Sequence, residues 1–351
     1  MFQLKIENKK ININSSIYII AEAGVNHNGS IKKAKKLIDI AVKAKADAVK
    51  FQTFKAENII IPKGPKAKYH IETTGSDKKL SWFDLLKSQE ISKKMHIELI
   101  KYCKKKKITF LSTPYDEDSA TLLNKLKVSA FKIASTDNDN YPFITFLKKF
   151  KKPIILSTAM SDFKEVKLAY KILKSSNFKN FSIMQCTGNY PTKIENINLN
   201  VIDNYIKNFK CPIGFSDHTI DATAAIAAVG KGVKIIEKHF TLSKKLNGPD
   251  HRMSLEPSEL IHYIKEIRKA EKALGTYQKK VINSEIENRK KLKKSLVASK
   301  NILKGQKIYK DMIDIKRPAY GLRPIEMNTI IGKKARIKIN KYTVLKKIMF
   351  K

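Results

Sequence analysis

Short apolar runs recur along the chain and alternate with longer amphipathic segments. The runs are rich in β-branched residues, as expected of buried strands, and lie at 17–21, 48–51, 108–111, 130–133, 154–156, 181–185, 212–215 and 235–237. Between most of them, segments such as SIKKAKKLIDIAVKAKA and DATAAIAAVGKG begin with an N-cap residue and continue with helical spacing. The pattern predicts an α/β fold, a (β/α)8 TIM barrel, with an open doubly wound sheet as the alternative.

The pattern changes near residue 283. Residues 283–294 (NSEIENRKKLKK) are densely charged, and residues 295–351 carry short alternating runs broken by Gly and Pro. We therefore expect a barrel domain at 1–282, a linker at 283–294 and a small β-rich domain at 295–351. So small a domain has little core of its own, so we expect it to pack on another surface.

The chain is strongly basic, with a formal net charge of +39. Such a charge is compatible with nucleic-acid binding through phosphate contacts. The excess, however, is lysine spread from Lys5 to Lys351, with only six arginines and no recognition motif. We expect weak attraction to polyanions but no specific nucleic-acid partner.

The sequence contains no pattern typical of export or membrane insertion. The apolar run at 17–21 stops at Glu22, and no stretch approaches the roughly 20 apolar residues of a membrane span. Three widely spaced cysteines (Cys103, Cys186 and Cys211) fit neither a disulfide framework nor a zinc site. We expect a cytoplasmic protein without a membrane partner.

Almost every predicted strand ends in a polar cluster. The clusters include AEAGVNHNG, KFQTF, LSTPYDE, KIAS, LSTAM, GFSDHT and EKHF. Because the carboxyl ends of barrel strands surround one pocket, side chains that are distant in sequence meet there. We predict a shared pocket lined by Glu22, Lys50, Gln52, Thr113, Lys132, Ser135, Ser157, Ser216, His218 and His239.

Two lysines lie inside otherwise apolar strands, Lys50 in AVKFQT and Lys132 in AFKIAS. Burying an ammonium group without a partner costs several kcal/mol. Together with the neighbouring Ser and Thr hydroxyls, the lysines would form a lining suited to phosphate and carboxylate groups. We therefore predict an anionic ligand.

His218 and His239 end the seventh and eighth predicted strands. Their spacing matches no local metal motif, but neighbouring strands would let both imidazoles bind one divalent ion. Such a site leaves positions open for substrate and water. Glu22, at the end of the first strand, would carry a proton or hold a substrate hydroxyl; alternatively it caps the following helix.

Taken in order, ten clusters resemble the sialic acid synthase family. They are AEAGVNHNG, KFQT, STPYD, FKIAS, LSTAM, CTGNYPT, GFSDHT, EKHFT, GPDHRMSLEP and the late KRP. The resemblance covers nearly the whole chain and includes a small antifreeze-like (SAF, β-clip) domain at the carboxyl end. It implies condensation of phosphoenolpyruvate with an N-acetylated mannose-type sugar and water, giving a nine-carbon 2-keto acid and phosphate.

The resemblance also implies roles for individual residues. The positions that hold phosphoenolpyruvate correspond to Lys50, Thr113, Lys132, Ser135, Ser157 and Ser216. His218 and His239 correspond to the ligands of Mn²⁺ or Mg²⁺, and the groups around the sugar correspond to Glu22, Gln52, Tyr190 and Asp250. Arg317, in KRP, corresponds to an arginine that enters the partner subunit's active site, which implies a domain-swapped homodimer.

The motif CTGNYPT departs from the family at Gly188, where neuraminate synthases commonly carry an asparagine that contacts phosphoenolpyruvate. We hypothesise that Asn189 or a backbone N–H takes its place. The segment at 67–92 is more similar to legionaminate-type synthases, so both N-acetylmannosamine and 2,4-diacetamido-2,4,6-trideoxymannose remain candidate sugars.

Two other functions are compatible with the same residues. The first is a metal-independent Schiff-base aldolase that uses Lys132 or Lys50 as its nucleophile. The second is a sugar-binding or polyanion-binding protein without turnover.

Overall fold

The computed structural model describes residues 3–74 and 81–351, and of Tyr69 only the backbone. Residues 75–80, part of the segment at 67–92, lie outside the described residues. The chain forms two compact units, Met1–Gly275 and Thr276–Lys351. The boundaries of the predicted linker at 283–294 stay a prediction.

In the first unit, eight of the described strands close into a parallel barrel. An antiparallel hairpin precedes them, formed by β1 (Leu4–Ile6) and β2 (Lys9–Ile11). The barrel strands are β3 (Tyr18–Gly24), β4 (Ala48–Thr53), β5 (Thr109–Pro114), β6 (Phe131–Ile133), β7 (Ile154–Ser157), β8 (Phe181–Cys186), β9 (Ile213–Asp217) and β10 (Ile235–His239). Each strand pairs with the next, and β10 pairs with β3, which confirms the predicted TIM barrel.

Helices follow the barrel strands. They are α1 (Ile31–Lys43), α2 (Ala56–Ile59), α3 (Lys68–Thr74), α4 (Trp82–Gln89), α5 (Lys93–Lys106), α6 (Glu117–Lys125), α7 (Tyr141–Lys148), α8 (Phe163–Lys174), α9 (Asn200–Asn208), α10 (Thr223–Gly230) and α11 (Pro257–Leu274). Short 3-10 turns lie at Ser135–Asp137, Ser175–Asn177 and Ile194–Asn196. Side-chain caps fix several starts; Asp162 and Glu165 form a capping box on α8, and Ser30 accepts from the backbone of Lys33 on α1.

The amino-terminal hairpin closes one end of the barrel. Leu4, Ile6 and Ile11 are buried in one cluster with inward side chains of the barrel strands. In the turn between β1 and β2, Glu7 accepts hydrogen bonds from the hydroxyls of Thr109 and Ser129, at the start of β5 and just before β6. The hairpin therefore lies at the amino-terminal end of the barrel. Sequence analysis missed it, because strands of three residues are too short to show a clear period.

A layer of mostly polar inward side chains lies next to this apolar layer, toward the carboxyl ends of the strands. The inward residues of the apolar layer include Ile20, Ala48, Leu111, Ala130, Ile155, Met184 and Ile235. Successive side chains of a strand point to opposite faces, so residues two positions later also face the interior. These are Glu22, Lys50, Thr113, Lys132, Ser157, Cys186 and Glu237.

Residues between the inward positions face the helices, and two of them are charged. Asp217 on β9 and Lys238 on β10 are fully buried, and Lys238 Nζ lies 3.2 Å from Asp217 Oδ2. The hydroxyl of Tyr263 on α11 donates to the same oxygen at 2.7 Å. Burial, together with this carboxylate, raises the pKa of Tyr263 well above its usual value. The contact joins α11 to the two strands immediately behind His218 and His239.

The second unit is a small β-rich domain, as predicted. Its elements are α12 (Ile286–Leu292), β11 (Ser295–Ala298) and β12 (Ile313–Lys316), with 3-10 turns at Asn283–Glu285, Lys310–Met312, Pro324–Thr329 and Lys347–Met349. Strands β11 and β12 pair antiparallel, and isolated bridges such as Ile302 with Ile339 extend the pairing. The unit has its own apolar core, centred on Leu296, Ile308 and Leu345.

No helix of the part of the chain that the structure describes is long and apolar enough to cross a bilayer.

Removing the Tyr263 hydroxyl is expected to weaken the fold. The variant Tyr263→Phe leaves the buried Asp217 carboxylate without one of its donors, which costs about 1–3 kcal/mol of the free energy of unfolding. Chemical denaturation followed by circular dichroism measures the loss. Tyr102→Phe is the matched control, because its hydroxyl donates to Asp39 at the partly exposed surface. Equal losses in the two variants would contradict the buried role.

Candidate active site at the strand ends

A pocket of about 440 Å³ opens at the carboxyl ends of the barrel strands. Most of the predicted site residues line it, namely Glu22, Lys50, Gln52, Thr113, Lys132, Ser135, Ser157, Tyr190, Ser216, His218, His239 and Asp250. The structure thus brings together side chains from all around the barrel, as barrel closure predicts. Asn189 is not among the lining residues of the pocket.

Two lysines and two carboxylates occupy the deepest part of this pocket, and all four are almost completely buried. Lys50 Nζ lies 2.8 Å from Glu22 Oε2 and 3.6 Å from Glu237 Oε2. Lys132 Nζ lies 3.7 Å from Glu237 Oε1. Each ammonium therefore has a carboxylate partner within the chain, which the sequence argument for an anionic ligand did not foresee. Glu237 is shared between the two lysines.

The shared cluster shifts the protonation of its members. Burial raises the pKa of Glu22 to about 7; Lys50 opposes this shift and Glu237 adds to it. Burial lowers the pKa of Lys132, although Glu237 opposes the shift. For Glu237, burial would raise the pKa, but Lys132 and Lys50 hold it below its usual value. Glu237 therefore stays ionised at neutral pH, and Glu22 is the carboxylate that takes up a proton first.

Hydroxyl groups surround the lysines. Lys50 Nζ donates to Thr113 Oγ1 at 2.8 Å, and Lys132 Nζ donates to Ser157 Oγ at 2.5 Å. Ser216 Oγ donates to Glu237 Oε1 at 3.2 Å. We call Lys50, Thr113, Lys132, Ser157, Ser216 and Glu237 the polar floor of the pocket. It presents ammonium and hydroxyl donors in one small area, an arrangement suited to oxyanions.

Sequence analysis did not name Glu237 as a site residue. The residue lies in EKHF, two positions before His239, so period-two alternation from His239 already placed it in the pocket. Cys186 was also missed; it lines the pocket, and its Sγ lies 3.7 Å from His218 Nδ1. In both cases the alternation of the strand indicates that the side chain faces the pocket.

The two histidines meet at the edge of the polar floor. Their ring centroids are 5.6 Å apart, and Tyr190 packs on His218 with centroids 4.1 Å apart. His218 Nδ1 is 2.7 Å from the carbonyl oxygen of Thr187; a carbonyl only accepts, so Nδ1 carries a proton. Burial would lower the pKa of His218, but Cys186 and the Thr187 carbonyl raise it above its usual value. Burial lowers the pKa of His239 well below its usual value, so this imidazole is neutral.

This donor set fits a divalent ion. Within the described residues, Nδ1 of His239 is buried without a hydrogen-bond partner, and it lies 3.9 Å from Asp250 Oδ2. Both rings line the pocket, and an imidazole nitrogen with a free lone pair is a suitable metal ligand. No group of three or more His, Cys, Asp or Glu side chains in residues 3–74 and 81–351 is arranged to hold an ion.

Glu22, Gln52 and Asp250 converge above Gly24. A Cβ at Gly24 would lie within 3.3–3.5 Å of atoms of all three side chains, and its backbone has a φ of +51°. Asp250 is held by its own loop, since Ser254 Oγ donates to its carbonyl at 2.6 Å and accepts from Asn26 at 3.0 Å. Burial raises the pKa of Asp250 to about 6. These groups form a second polar area beside the histidines.

At Gly188, where the sequence departs from the family motif, the side chain of Met160 packs close to the backbone. Gly188 lines the pocket, and a Cβ there would lie 2.9 Å from Met160 Cγ. Met160 therefore occupies the space that a larger side chain at 188 would need. Asn189 is exposed, and its carbonyl accepts from Thr192 Oγ1 at 2.7 Å. Its predicted role as the substitute stays a prediction.

Arg317 follows β12 in the second unit and is exposed. Its predicted role at a partner's pocket also stays a prediction.

The closed barrel and the gathering of acidic, basic and imidazole groups at its carboxyl face define a TIM-barrel enzyme. Residues 37–279 match the NeuB family, and residues 293–351 match the SAF domain. The chain belongs to the NeuB family and carries a SAF domain, which confirms the resemblance found in the strand-end clusters.

Relatives of known activity cover nearly the whole chain. The N,N'-diacetyllegionaminic acid synthase of Campylobacter jejuni is 43% identical over 317 residues, which span 90% of this chain and 94% of that protein. The human N-acetylneuraminate-9-phosphate synthase is 34% identical over 324 residues, 92% of this chain and 89% of that one. The crystal structure of a sialic acid synthetase from Leptospira borgpetersenii with citrate has a TM-score of 0.71 at 32% identity, covering 82% of this chain and 94% of that chain.

Removing the shared carboxylate is expected to destabilise the barrel. Glu237→Gln leaves two buried ammonium groups with one carboxylate between them, which costs about 3 kcal/mol of the free energy of unfolding. Urea denaturation measures this loss in the free energy of unfolding. Glu57→Gln is the matched control, because Glu57 pairs with Lys87 at the exposed surface and its removal should change little. An unchanged unfolding midpoint in Glu237→Gln would show that Glu237 is not the lysines' essential partner.

Proposed function

We propose that the protein is a nonulosonic (sialic-type) acid synthase. It condenses phosphoenolpyruvate with an N-acetylated mannose-type sugar and water, and it releases phosphate and a nine-carbon 2-keto acid. The relatives named as synthases of diacetyllegionaminic acid and N-acetylneuraminate 9-phosphate support this class of product. The observation that carries the proposal is the pocket itself, where a polar floor with two lysines adjoins the imidazole rings of His218 and His239.

Phosphoenolpyruvate would occupy the polar floor. Its phosphate and carboxylate need several donors in fixed positions, and Lys50 and Lys132 with the hydroxyls of Thr113, Ser135, Ser157 and Ser216 supply them. Two ammonium groups share one firmly ionised carboxylate, Glu237, so an anion finds positive charge that is not fully compensated once Glu22 is protonated. The bound anion would thus neutralise the excess positive charge of Lys50 and Lys132.

The sugar would lie beside the histidines. A Mn²⁺ or Mg²⁺ ion bound by His218 and His239 would polarise the sugar's aldehyde oxygen as a Lewis acid. Glu22, Gln52 and Asp250 would hold its hydroxyl and amide groups, and Tyr190 would pack against it. Fixing both substrates in contact supplies much of the rate enhancement.

The atoms balance in a simple sequence. C3 of phosphoenolpyruvate forms the new carbon–carbon bond with the aldehyde carbon, and the aldehyde oxygen takes up a proton. The electron pair of the C2=C3 bond enters the new carbon–carbon bond, so water adds at the electron-deficient C2 and loses one proton. As the C2–O bond to phosphate then breaks, the C2 hydroxyl gives its proton to the departing phosphate, leaving the 2-keto acid and inorganic phosphate. Lys50 and Lys132 stabilise the departing phosphate, and Glu22 lies where it can transfer a proton.

The SAF domain would complete the site across a dimer. We propose that Arg317 of one subunit enters the pocket of its partner and contacts the bound sugar. The exposure of Arg317 at the end of β12 is compatible with that role.

One observation favours the aldolase alternative. Burial lowers the pKa of Lys132, and an amine nucleophile that forms a Schiff base needs a lowered pKa. Burial alone accounts for the lowered pKa of Lys132, which is therefore compatible with the synthase as well. The experiment described next distinguishes the synthase from the aldolase.

Phosphate release from phosphoenolpyruvate should require an N-acetylated mannose-type sugar and a divalent ion. EDTA should abolish the release and added Mn²⁺ or Mg²⁺ should restore it, whereas borohydride with pyruvate should leave the enzyme active. His218→Ala should lose at least about a hundredfold in kcat/KM. His262→Ala, at an exposed position of α11, is the control. Inactivation by borohydride together with indifference to EDTA would support the aldolase instead.

Arg317→Ala is expected to lose activity alone but to regain part of it in mixed dimers. Mixing it with Lys132→Ala should yield hybrid dimers with one intact pocket, in which the partner supplies the arginine. Up to about a quarter of the normal activity should return by random pairing of subunits. Arg323→Ala, exposed in the same unit, is the control and should stay active. Absence of any rescue in verified hybrid dimers would rule out the swapped site.

A further inference from the structure

A network of buried side chains lies behind the pocket and reaches the residues next to both histidines. This rear network consists of Asp217, Thr219, Lys238 and Tyr263. Two of its members flank His218 in the chain, and a third directly precedes His239. In the part of the chain that the structure describes, none of the four lines the pocket. The rear network therefore reaches the site through the chain segments that carry the histidines.

The carboxylate of Asp217 closes a turn around His218. Its Oδ1 accepts from the backbone N–H of Thr219 at 2.8 Å and from the hydroxyl of the same residue at 2.7 Å. Its Oδ2 accepts from the hydroxyl of Tyr263 at 2.7 Å. An aspartate that accepts from the amide two residues later stabilises a local turn. The backbone of His218 lies inside this turn, so it is held from the side away from the pocket.

Lys238 connects this turn to the second histidine. Its Nζ donates to the carbonyl oxygen of Thr219 and lies 3.2 Å from Asp217 Oδ2. One ammonium group thus binds the residues on both sides of His218, and it belongs to the residue just before His239. A buried ammonium group keeps such partners firmly, because losing either one away from water is costly.

The pairing of the two strands ends before it reaches the histidines. In the register of β9 and β10, the last pair is Asp217 with Lys238. His218 lies beyond the end of β9, and His239 is the last residue of β10. Backbone hydrogen bonds between these strands therefore do not fix the separation of the imidazoles. The Thr187 carbonyl holds the His218 ring, and the rear network holds the backbone behind it.

We propose that Lys238 is a positioning residue of the histidine pair. By joining Asp217 and Thr219 to β10, it sets the separation of the two imidazoles at which a divalent ion binds. The inference rests on the proposed function, which assigns an ion to His218 and His239. Groups that orient a metal ligand from behind typically contribute roughly ten- to hundredfold to metal affinity.

Binding of Mn²⁺ to the full chain without substrates measures this role, with the free ion followed by electron paramagnetic resonance. Lys238→Met should raise the Kd at least about tenfold, because it removes the donor to Thr219 and Asp217. Lys234→Met is the matched control. Lys234 Nζ donates to the carbonyl oxygen of Ser15 at 3.2 Å, but the residue precedes the opposite end of β10, so the Kd should stay unchanged.

A double variant separates positioning from the burial of charge. Lys238→Met alone leaves the Asp217 carboxylate buried without a cation, which destabilises the fold. In Asp217→Asn/Lys238→Met neither charge remains, so the unfolding midpoint should largely recover. The contact with the Thr219 carbonyl is still absent, so Mn²⁺ binding should stay weak. Recovery of Mn²⁺ affinity together with the midpoint would overturn the proposal, because a purely structural role predicts both.

His239→Ala distinguishes this inference from the proposed function, and it should lose Mn²⁺ binding. Equal Mn²⁺ binding by His239→Ala and the unchanged protein would overturn the ion site and the positioning role together. An unchanged Kd in Lys238→Met, with binding lost in His239→Ala, would overturn the positioning role alone. The synthase would then stand or fall by phosphate release.

Discussion

Charge burial inside a closed barrel is the constraint on which the site depends. Lys50, Lys132, Glu22 and Glu237 lie in one layer, directly above a layer of apolar side chains. Removing these charges from water is costly, and the cost is acceptable only because each group has a partner of opposite sign held by a different strand. The same pairing fixes the side chains before any ligand arrives, so the geometry that the proposed reaction requires exists in the folded chain itself.

Strand alternation gives β9 and β10 two functions at once. Their inward residues, Ser216, His218, Glu237 and His239, line the pocket, and their outward residues, Asp217 and Lys238, are bound to each other behind it. Tyr263 adds α11 to this contact. A one-residue shift of either strand would exchange the two sets, so the buried contact behind the barrel also protects the register of the histidines.

The strands and their polar ends were predictable because both leave strong local signals. Apolar runs mark the strands, and a (β/α)8 closure brings their carboxyl ends together whatever lies between them. Glu237 was less visible, because its importance comes from sharing two lysines across the barrel and not from its neighbours in sequence. The space at Gly188 depends on Met160, which lies on a different loop, so no local pattern describes it. An apolar cluster beside the pocket was likewise not predicted from the sequence, because its members, among them Val25, Phe54 and Trp82, meet only after the barrel closes.

The hairpin at the amino-terminal end of the barrel has a kinetic consequence. Leu4, Ile6 and Ile11 fill that end together with the lowest inward side chains, so the described residues leave the pocket open only toward the carboxyl face. Compounds that enter or leave the pocket then use the same opening. A compound seated against the lysines must arrive before the one seated near Trp82, and whatever remains at the lysines after reaction departs last.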